Sequence, residues 1–339
     1  MRTEIRTMTE RDLDAGASLL AARHRADRAR TPALSARFDE ANAVRPLLSA
    51  ALAQPLTRGV VAEQGDTLMG FLIGAISLPP PTAWYAAFLP PRAGRIGYDG
   101  YAAAGQDGYD LYRRLYAALA PFFLDYGVYA HFIEINAQDE VAEEAWFSLG
   151  FGQTMTLAVR DTTPVDADAA TTSGLEIHEA NTEDIDVVMK LNDDLARHHN
   201  ASPIFLPYLP ETFANAREYQ LELLSDPANA HWVAYQDGRP VGMQTFHEQN
   251  FEEMAQPERT VYLFQGVTDP EARGSGVGTA LLARSMAWAR AAGYERCTLH
   301  FLSANIAGAR FWLNNGFVPL KTGMARWVDE RIAWADGRE

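Results

Sequence analysis

The chain has 339 residues, is 47% hydrophobic and 22% charged, and carries a formal charge of −15, which suits about two soluble domains with sizeable cores. So acidic a balance excludes a nucleic-acid partner, whose phosphates need a basic footprint; it is compatible with cationic substrates such as amines, although solubility alone accounts for it. The single cysteine, Cys297, excludes an internal disulfide framework and, set in an apolar run, reads as a buried structural thiol in a reducing compartment.

The N-terminal stretch MRTEIRTMTERDLDAG has no apolar h-region, so no signal peptide is expected. The longest apolar run, Leu68 to Leu78, is shorter than the roughly 20 residues of a bilayer span, and Pro79-Pro80-Pro81 stops it. The expectation is a cytoplasmic protein with no membrane partner, acting as a monomer or homodimer.

Taken in order, the chain repeats itself. Ile5 and Ile177 each open a strand that runs into a helix start, Thr9 to Asp12 and Asn181 to Asp184, at one offset of 172 (177 − 5 and 184 − 12). The strand pair from Val61 to Gly70, turning at Gly65-Asp66, has its counterpart from Val233 to Gly242, turning at Asp237-Gly238 (242 − 70 = 172), and each reads as a β-hairpin. Further on the offset becomes 166: Gly127 matches Gly293, Trp146 matches Trp312 and Gly150 matches Gly316 (316 − 150). The first half is therefore longer by six residues (172 − 166), which its proline-rich stretch from Pro79 to Pro91 accounts for. A constant register over two long blocks indicates an internal duplication. The segment from Arg160 to Gly174, poor in large apolar residues, reads as a linker. The expected organisation is a first domain over 1–160, a linker over 161–174 and a second domain over 175–339.

In the second copy, periodicity predicts a strand at Glu176–Glu179, helices over Glu183–His198 and Glu211–Leu224, and a hairpin over Trp232–Phe246. A strand at Thr260–Val267, a helix over Gly276–Ala292, a strand at Arg296–Leu302, a helix over Ile306–Asn315 and a last strand over Phe317–Trp327 follow. Between the strand at 260 and the next helix lies a glycine-rich turn, Arg273-Gly274-Ser275-Gly276-Val277-Gly278-Thr279. Strand, glycine loop and helix N-terminus together make an anion cradle, since free first-turn N–H groups and the helix dipole favour phosphate oxygens. A P-loop would need a lysine before Thr279, and a dinucleotide fingerprint would need G-x-G-x-x-G where the chain has Gly274-x-Gly276-x-Gly278.

The pattern Arg273-x-x-Gly276-x-Gly278 resembles the pyrophosphate loop of the GCN5-related N-acetyltransferase (GNAT) family. The helix Asn305-Ile-Ala-Gly-Ala309-Arg-Phe-Trp312-Leu-Asn-Asn-Gly316-Phe317 is similar to that family's later motif. The resemblance implies an α/β fold of two tandem acyl-CoA N-acyltransferase domains, each an α+β mixed sheet. It implies acetyl-CoA as co-substrate, a small-molecule primary amine as acceptor, direct attack in a ternary complex, and no metal. By the same resemblance Arg273 to Thr279 hold the pyrophosphate, and Gln265, Gly266 and Val267 hold the pantetheine arm through their backbones. Val267 N–H is then the oxyanion donor, and Asn305, Ala309 and Trp312 line the far side of the arm.

The expected acid and base depart from the family. A glutamate base in some members falls at Tyr262, a weak base at neutral pH, and the tyrosine that often protonates the thiolate falls at Trp312, whose indole delivers no proton. His247 and Glu248, ending the hairpin, are the alternative proton acceptors. A non-catalytic acyl-CoA-binding protein is the competing reading. His198-His199, beside Asn200 and away from any zinc spacing, read as a helix C-terminal cap, while Tyr208, Phe213 and Tyr219 can shape the acceptor pocket. In the first copy Arg273, Gly276, Gly278 and Asn305 become Asp107, Asp110, Tyr112 and Asp139. Carboxylates repel a pyrophosphate and a tyrosine blocks close approach, so this copy is expected to bind no CoA in the usual manner.

Overall fold

The computed structural model describes residues 3–105, 108–166, 174–248 and 254–335. Strand β1 (Glu4–Thr7) leads into a capping box in which Thr9 N–H donates to the Asp12 carboxylate at 2.8 Å. Helices α1 (Leu13–Arg30) and α2 (Ala41–Ala53) follow, then the hairpin β2 (Thr57–Gln64) and β3 (Thr67–Ser77). Short strands β4 (Ala93–Ile96) and β5 (Tyr101–Ala103), helix α3 (Gly108–Asp125), strand β6 (Ala130–Asn136), helix α4 (Glu140–Ser148) and strand β7 (Gly152–Asp161) complete the first half. The second half repeats the sequence of elements. Strand β8 (Leu175–Glu179) enters a second capping box, Asn181 N–H to Asp184 at 3.0 Å, and then α5 (Ile185–Asn200), α6 (Pro210–Phe213) and α7 (Ala216–Ser225). Next come β9 (Ala230–Gln236), β10 (Arg239–Glu248), β11 (Thr260–Thr268), α8 (Val277–Ala291), β12 (Arg296–Leu302), α9 (Ile306–Asn314) and β13 (Val318–Trp327). The one helix expected over Glu211–Leu224 is two, α6 and α7, broken at residues 214–215.

Strand pairing repeats the duplication. Ile5 pairs with Ala62 and Ile177 with Ala234, both shifted by 172 (177 − 5 and 234 − 62). All thirteen strands join one sheet, in the order β1-β2-β3-β4-β6-β13-β7-β12-β11-β10-β9-β8, with β5 against β3. The two halves exchange their last strands: β13 lies between β6 and β7, and β7 lies between β13 and β12. The exchange is symmetric, since Asn136 pairs with Lys321 and Leu302 with Met155, each shifted by 166 (302 − 136 and 321 − 155). It leaves neither half with an open strand edge at the junction.

Strand β7 serves both cores because successive side chains face opposite ways. Leu157 and Val159 pack with α1 and α2, while Ala158 packs with α8. Likewise Met324 of β13 packs among the rings of α3 and α4 in the first half. Helices α1, α2, α5 and α7 therefore cover one face of the sheet, and α3, α4, α8 and α9 the other. Cys297 is fully buried on β12, and burial pushes its thiol up to about 12, as a structural thiol requires. The expected linker begins within β7, where Asp161 is the last strand residue and Thr162 N–H donates to the Glu295 carbonyl at 3.0 Å; residues 167–173 of it lie outside the described residues.

Candidate active site

The site begins with a place where the sheet opens. Strands β11 and β12 pair in parallel from Thr260 with Arg296 to Leu263 with Leu299, and their ladder ends there although β11 runs on to Thr268. A β-bulge starts the divergence: Thr245 of β10 faces Gln265 but Phe246 faces Leu263, so Phe264 is an extra residue. An extended ligand can complete the exposed backbone edge by strand addition. The ladder decides which groups it meets. Asp269 N–H donates to Val241 O at 2.8 Å, and bonded and open pairs alternate along an antiparallel ladder. Val267, opposite Met243, therefore spends its N–H on β10, which removes it as the oxyanion donor. Gly266 and Thr268 turn their N–H groups to the open edge instead. Gly266 is glycine for a packing reason: an added Cβ would lie 3.0 Å from two ring carbons of Trp312. That ring lies against Gly266 from the α8 side, wedged against Phe311 and Phe317.

At the end of β11 the loop turns through Gly274 (φ +80°) and Gly276 (φ +88°), left-handed positions that favour glycine. Gly276 is the N-cap of α8, has no side chain to cap it, and accepts the helix's first bond from Ala280 at 2.9 Å. The N–H groups of Val277, Gly278 and Thr279 come before the helix's own ladder and remain for an anion. Ser275 is used in the turn, its hydroxyl donating to Ala272 O at 2.6 Å. Arg273 is anchored at its Nε on Thr268 O at 3.3 Å, beside this helix start. Gly278 has a second constraint, because a Cβ there would lie 3.2 Å from the Phe311 ring of α9. Beneath the loop, the Asp269 carboxylate accepts Glu271 N–H at 2.9 Å and pairs with Arg239 at 2.8 Å, which together hold it below the usual carboxylate range. These residues fit a diphosphate: an uncapped helix of 15 residues, two left-handed glycines and an arginine.

Asn305 caps α9, accepting Gly308 N–H at 3.0 Å, and the same oxygen bonds His198 Nε2 at 3.2 Å. His198 thus ties α5 to α9 rather than capping its own helix. His199 stacks on Tyr208, and burial lowers it to about 4. His231 bonds the Leu223 carbonyl at 3.1 Å and His247 the Glu248 carbonyl at 3.1 Å, so the histidines have separate partners. Ala309 packs partly buried against the α8 core.

Of the expected proton-handling residues, the structure unites two. His247 and Tyr262 are cross-strand partners on the face shared with α5 and α7, their rings 5.2 Å apart. Burial raises the Tyr262 phenol above its ordinary value, which rules it out as a base, and its hydroxyl hydrogen-bonds His300 Nδ1 at 3.0 Å. His300 was not singled out in the sequence; its alternation with buried Leu299 on β12 was the available signal. Glu248 lies apart: it pairs with Val261, whose side chain packs with α8, and its charge acts on Tyr294. Gln265 joins an amide chain, donating to Asn192 at 2.7 Å and accepting from Gln220 at 3.1 Å.

The first half has closed the same slot. Tyr101 pairs with Leu72 as Gly266 pairs with Gln244 (244 − 72 = 172), so a tyrosine stands at the glycine's place. Its fully buried ring meets Tyr112 edge-on at 5.4 Å, and Tyr112, the counterpart of Gly278, stacks on Trp146 at 6.4 Å. Buried Arg23 donates to the backbone carbonyls of Tyr98 and Tyr101 and pairs with Asp27 at 3.3 Å. Asp139 repeats the N-cap role of Asn305, accepting Ala142 N–H at 3.2 Å; Asp110 is exposed and pairs with Arg113, and Asp107 lies outside the described residues. The halves also touch beyond the shared strands. Thr212 of α6 donates to Pro81 O at 3.2 Å, and Met254 and Ala255 pack in the α1–α2 core.

Residues 194–317 match the model of the acetyltransferase (GNAT) family. A GCN5-related N-acetyltransferase from Sphaerobacter thermophilus superposes with a TM-score of 0.57 at 14% identity, over 96% of this chain and 95% of that one. A GCN5-related glucosamine N-acetyltransferase region of a fungal multi-domain GH3 β-N-acetylglucosaminidase gives 0.54 at 12% identity, over 96% of this chain and 38% of that one. No curated protein matches the chain in sequence. Among the described residues no helix is long and apolar enough to cross a membrane, and no group of three or more His, Cys, Asp or Glu is placed to hold a metal ion. The second half of the chain therefore holds a domain of the GNAT acetyltransferase family, on a fold that both halves share.

Proposed function

We propose that the protein is an N-acetyltransferase that moves the acetyl group of acetyl-CoA to the primary amine of a small molecule, at one site, in the second half. The observation that supports this most directly is the coincidence of the open β11 edge with the uncapped, glycine-led start of α8, together with the plugging of the same slot in the first half. When bound, acetyl-CoA supplies an activated thioester. Val277, Gly278 and Thr279 N–H with Arg273 hold its diphosphate, Gly266 and Thr268 pair with the extended arm, and Trp312 walls it on the α8 side. Gly266 N–H, on the open edge, is the donor to the carbonyl oxygen as charge develops there. His247 is the proton acceptor. Its Nδ1 must carry hydrogen to bond the Glu248 carbonyl, so Nε2 keeps a lone pair, and burial lowers its pKa and keeps the ring neutral. The first half, in this reading, binds no CoA and walls the acceptor cleft. The acceptor is the partner, nucleic acid and membrane are not, and the protein works as a monomer or homodimer in the cytoplasm.

One observation favours a second reading, a non-catalytic acyl-CoA-binding protein: Trp312 occupies the place of a proton-donating tyrosine. Free-thiol release from acetyl-CoA across a panel of primary amines separates the two. Turnover with any amine establishes the transferase, whereas tight acetyl-CoA binding with no CoA release from any amine establishes the binder.

A further inference from the structure

Four rings cluster beside the opening in the sheet. On the face covered by α5 and α7, Phe264 meets Tyr219 of α7 at 6.0 Å, His247 at 5.3 Å and Tyr262 at 6.4 Å between centroids. The contacts are edge-to-face or tilted, so the rings present a faceted wall rather than a closed stack. None of the four belongs to a buried core cluster, and all retain partial exposure. The large rings of the core, such as Trp146, Phe123 and Phe246, are by contrast fully buried. Phe264 is the bulge residue itself, and the β11–β12 ladder ends one residue before it, at Leu263. The wall therefore flanks the point at which the open backbone edge begins.

The charges around it narrow the ligand. Burial keeps His247 and His300 neutral, and His300 lies behind Tyr262. Glu222 acts on Tyr219, and Glu134, beyond His300, is engaged by Lys321 at 3.0 Å. Among the described residues these charges do not form the row of carboxylates that a polyamine's several ammonium groups need. It is an apolar, planar surface with hydroxyls at its margin, suited to a flat ring packed edge-on or offset.

We propose that the acceptor is a primary amine joined by a short alkyl chain to an aromatic ring, with the ring seated against Tyr219, His247, Tyr262 and Phe264. This rests on the transferase reading above. The amine then extends from the wall toward the open edge, where Gly266 lies two residues beyond Phe264.

The test compares steady-state acetylation of 2-phenylethylamine, spermidine and glucosamine by the full chain, with acetyl-CoA affinity measured separately by calorimetry. The expected kcat/KM for 2-phenylethylamine exceeds that for the other two by at least about tenfold. In Tyr219→Ala the KM for 2-phenylethylamine rises about fivefold to tenfold, the worth of one aromatic contact, while acetyl-CoA affinity is unchanged. Tyr219→Leu, which keeps a bulky apolar side chain on α7, gives a smaller rise and guards against a folding defect in the alanine variant. Normal acetyl-CoA binding with spermidine or glucosamine preferred, and no effect of either variant, overturns the aromatic acceptor and leaves the transferase standing. Loss of turnover with every amine overturns both.

Discussion

Gly266→Ala tests the slot at one carbon. The added Cβ would lie 3.0 Å from two carbons of the Trp312 ring, about 0.5–1 Å inside the optimal separation between carbon atoms. Trp312 has little room to retreat, being 9% exposed and held edge-on by Phe311 at 4.8 Å and Phe317 at 5.6 Å. Overpacking of this kind costs about 1–3 kcal/mol. Part of that appears as lost stability, and part as weaker binding, because any shift of β11 or the indole narrows the channel for the pantetheine arm. The expected result is a lower urea midpoint and an acetyl-CoA Kd raised by about tenfold or more, tenfold corresponding to about 1.4 kcal/mol. Trp312→Leu in the same chain relieves the clash, so the double variant regains stability relative to the sum of the two singles. Equilibrium denaturation and calorimetry on the four proteins complete the cycle. Additive effects, or a Gly266→Ala protein as stable and as tight-binding as the parent, would refute the placement of the indole over Gly266.

Three further outcomes follow from the packing. Arg23→Met strands the buried Asp27 carboxylate and two backbone carbonyls of the first half, so denaturant unfolding should show a loss of about 3–5 kcal/mol; a loss below about 1 kcal/mol would mean that the plug is not braced by this pair. Because each half lends its last strand to the other, segments 1–166 and 174–339 expressed separately should be aggregation-prone and, expressed together, should co-purify as one folded complex; two independently soluble monomers would contradict the exchanged sheet. His300 has a folded pKa of about 3, below the roughly 6.5 of an unfolded histidine, so its contribution is fully present above about pH 6.5 and is lost as pH falls toward 3, where the unfolded chain binds the extra proton. The urea midpoint should therefore decline less steeply between pH 6.5 and 4.5 in His300→Gln than in the parent, and equal slopes would remove His300 as the source.

The two-copy plan, the capping boxes and the glycine loop are all local or periodic properties, and for that reason they could be read from residue order. A pair such as Thr9 and Asp12, or a left-handed Gly276 ahead of an amphipathic run, specifies its backbone geometry within a few residues. The repeat offsets of 172 and 166 carried over into strand register because each half folds by the same pairings. The replacement of Gly278 by Tyr112 in the first half was also legible, whereas the buried ring of Tyr101 and its brace Arg23 come together only in the fold. What the sequence could not decide depends on hydrogen bonds and neighbours between strands far apart in the chain. Val267 and Gly266 are indistinguishable as letters in a strand, yet the ladder with β10 consumes one N–H and frees the other. Glu248 and His247 are adjacent in sequence but face opposite sides of the sheet, so only the second joins Tyr262. The exchange of β7 and β13 leaves no local mark at all: a strand edge pairs equally well with either copy, and the choice is made by which core its alternate side chains fill.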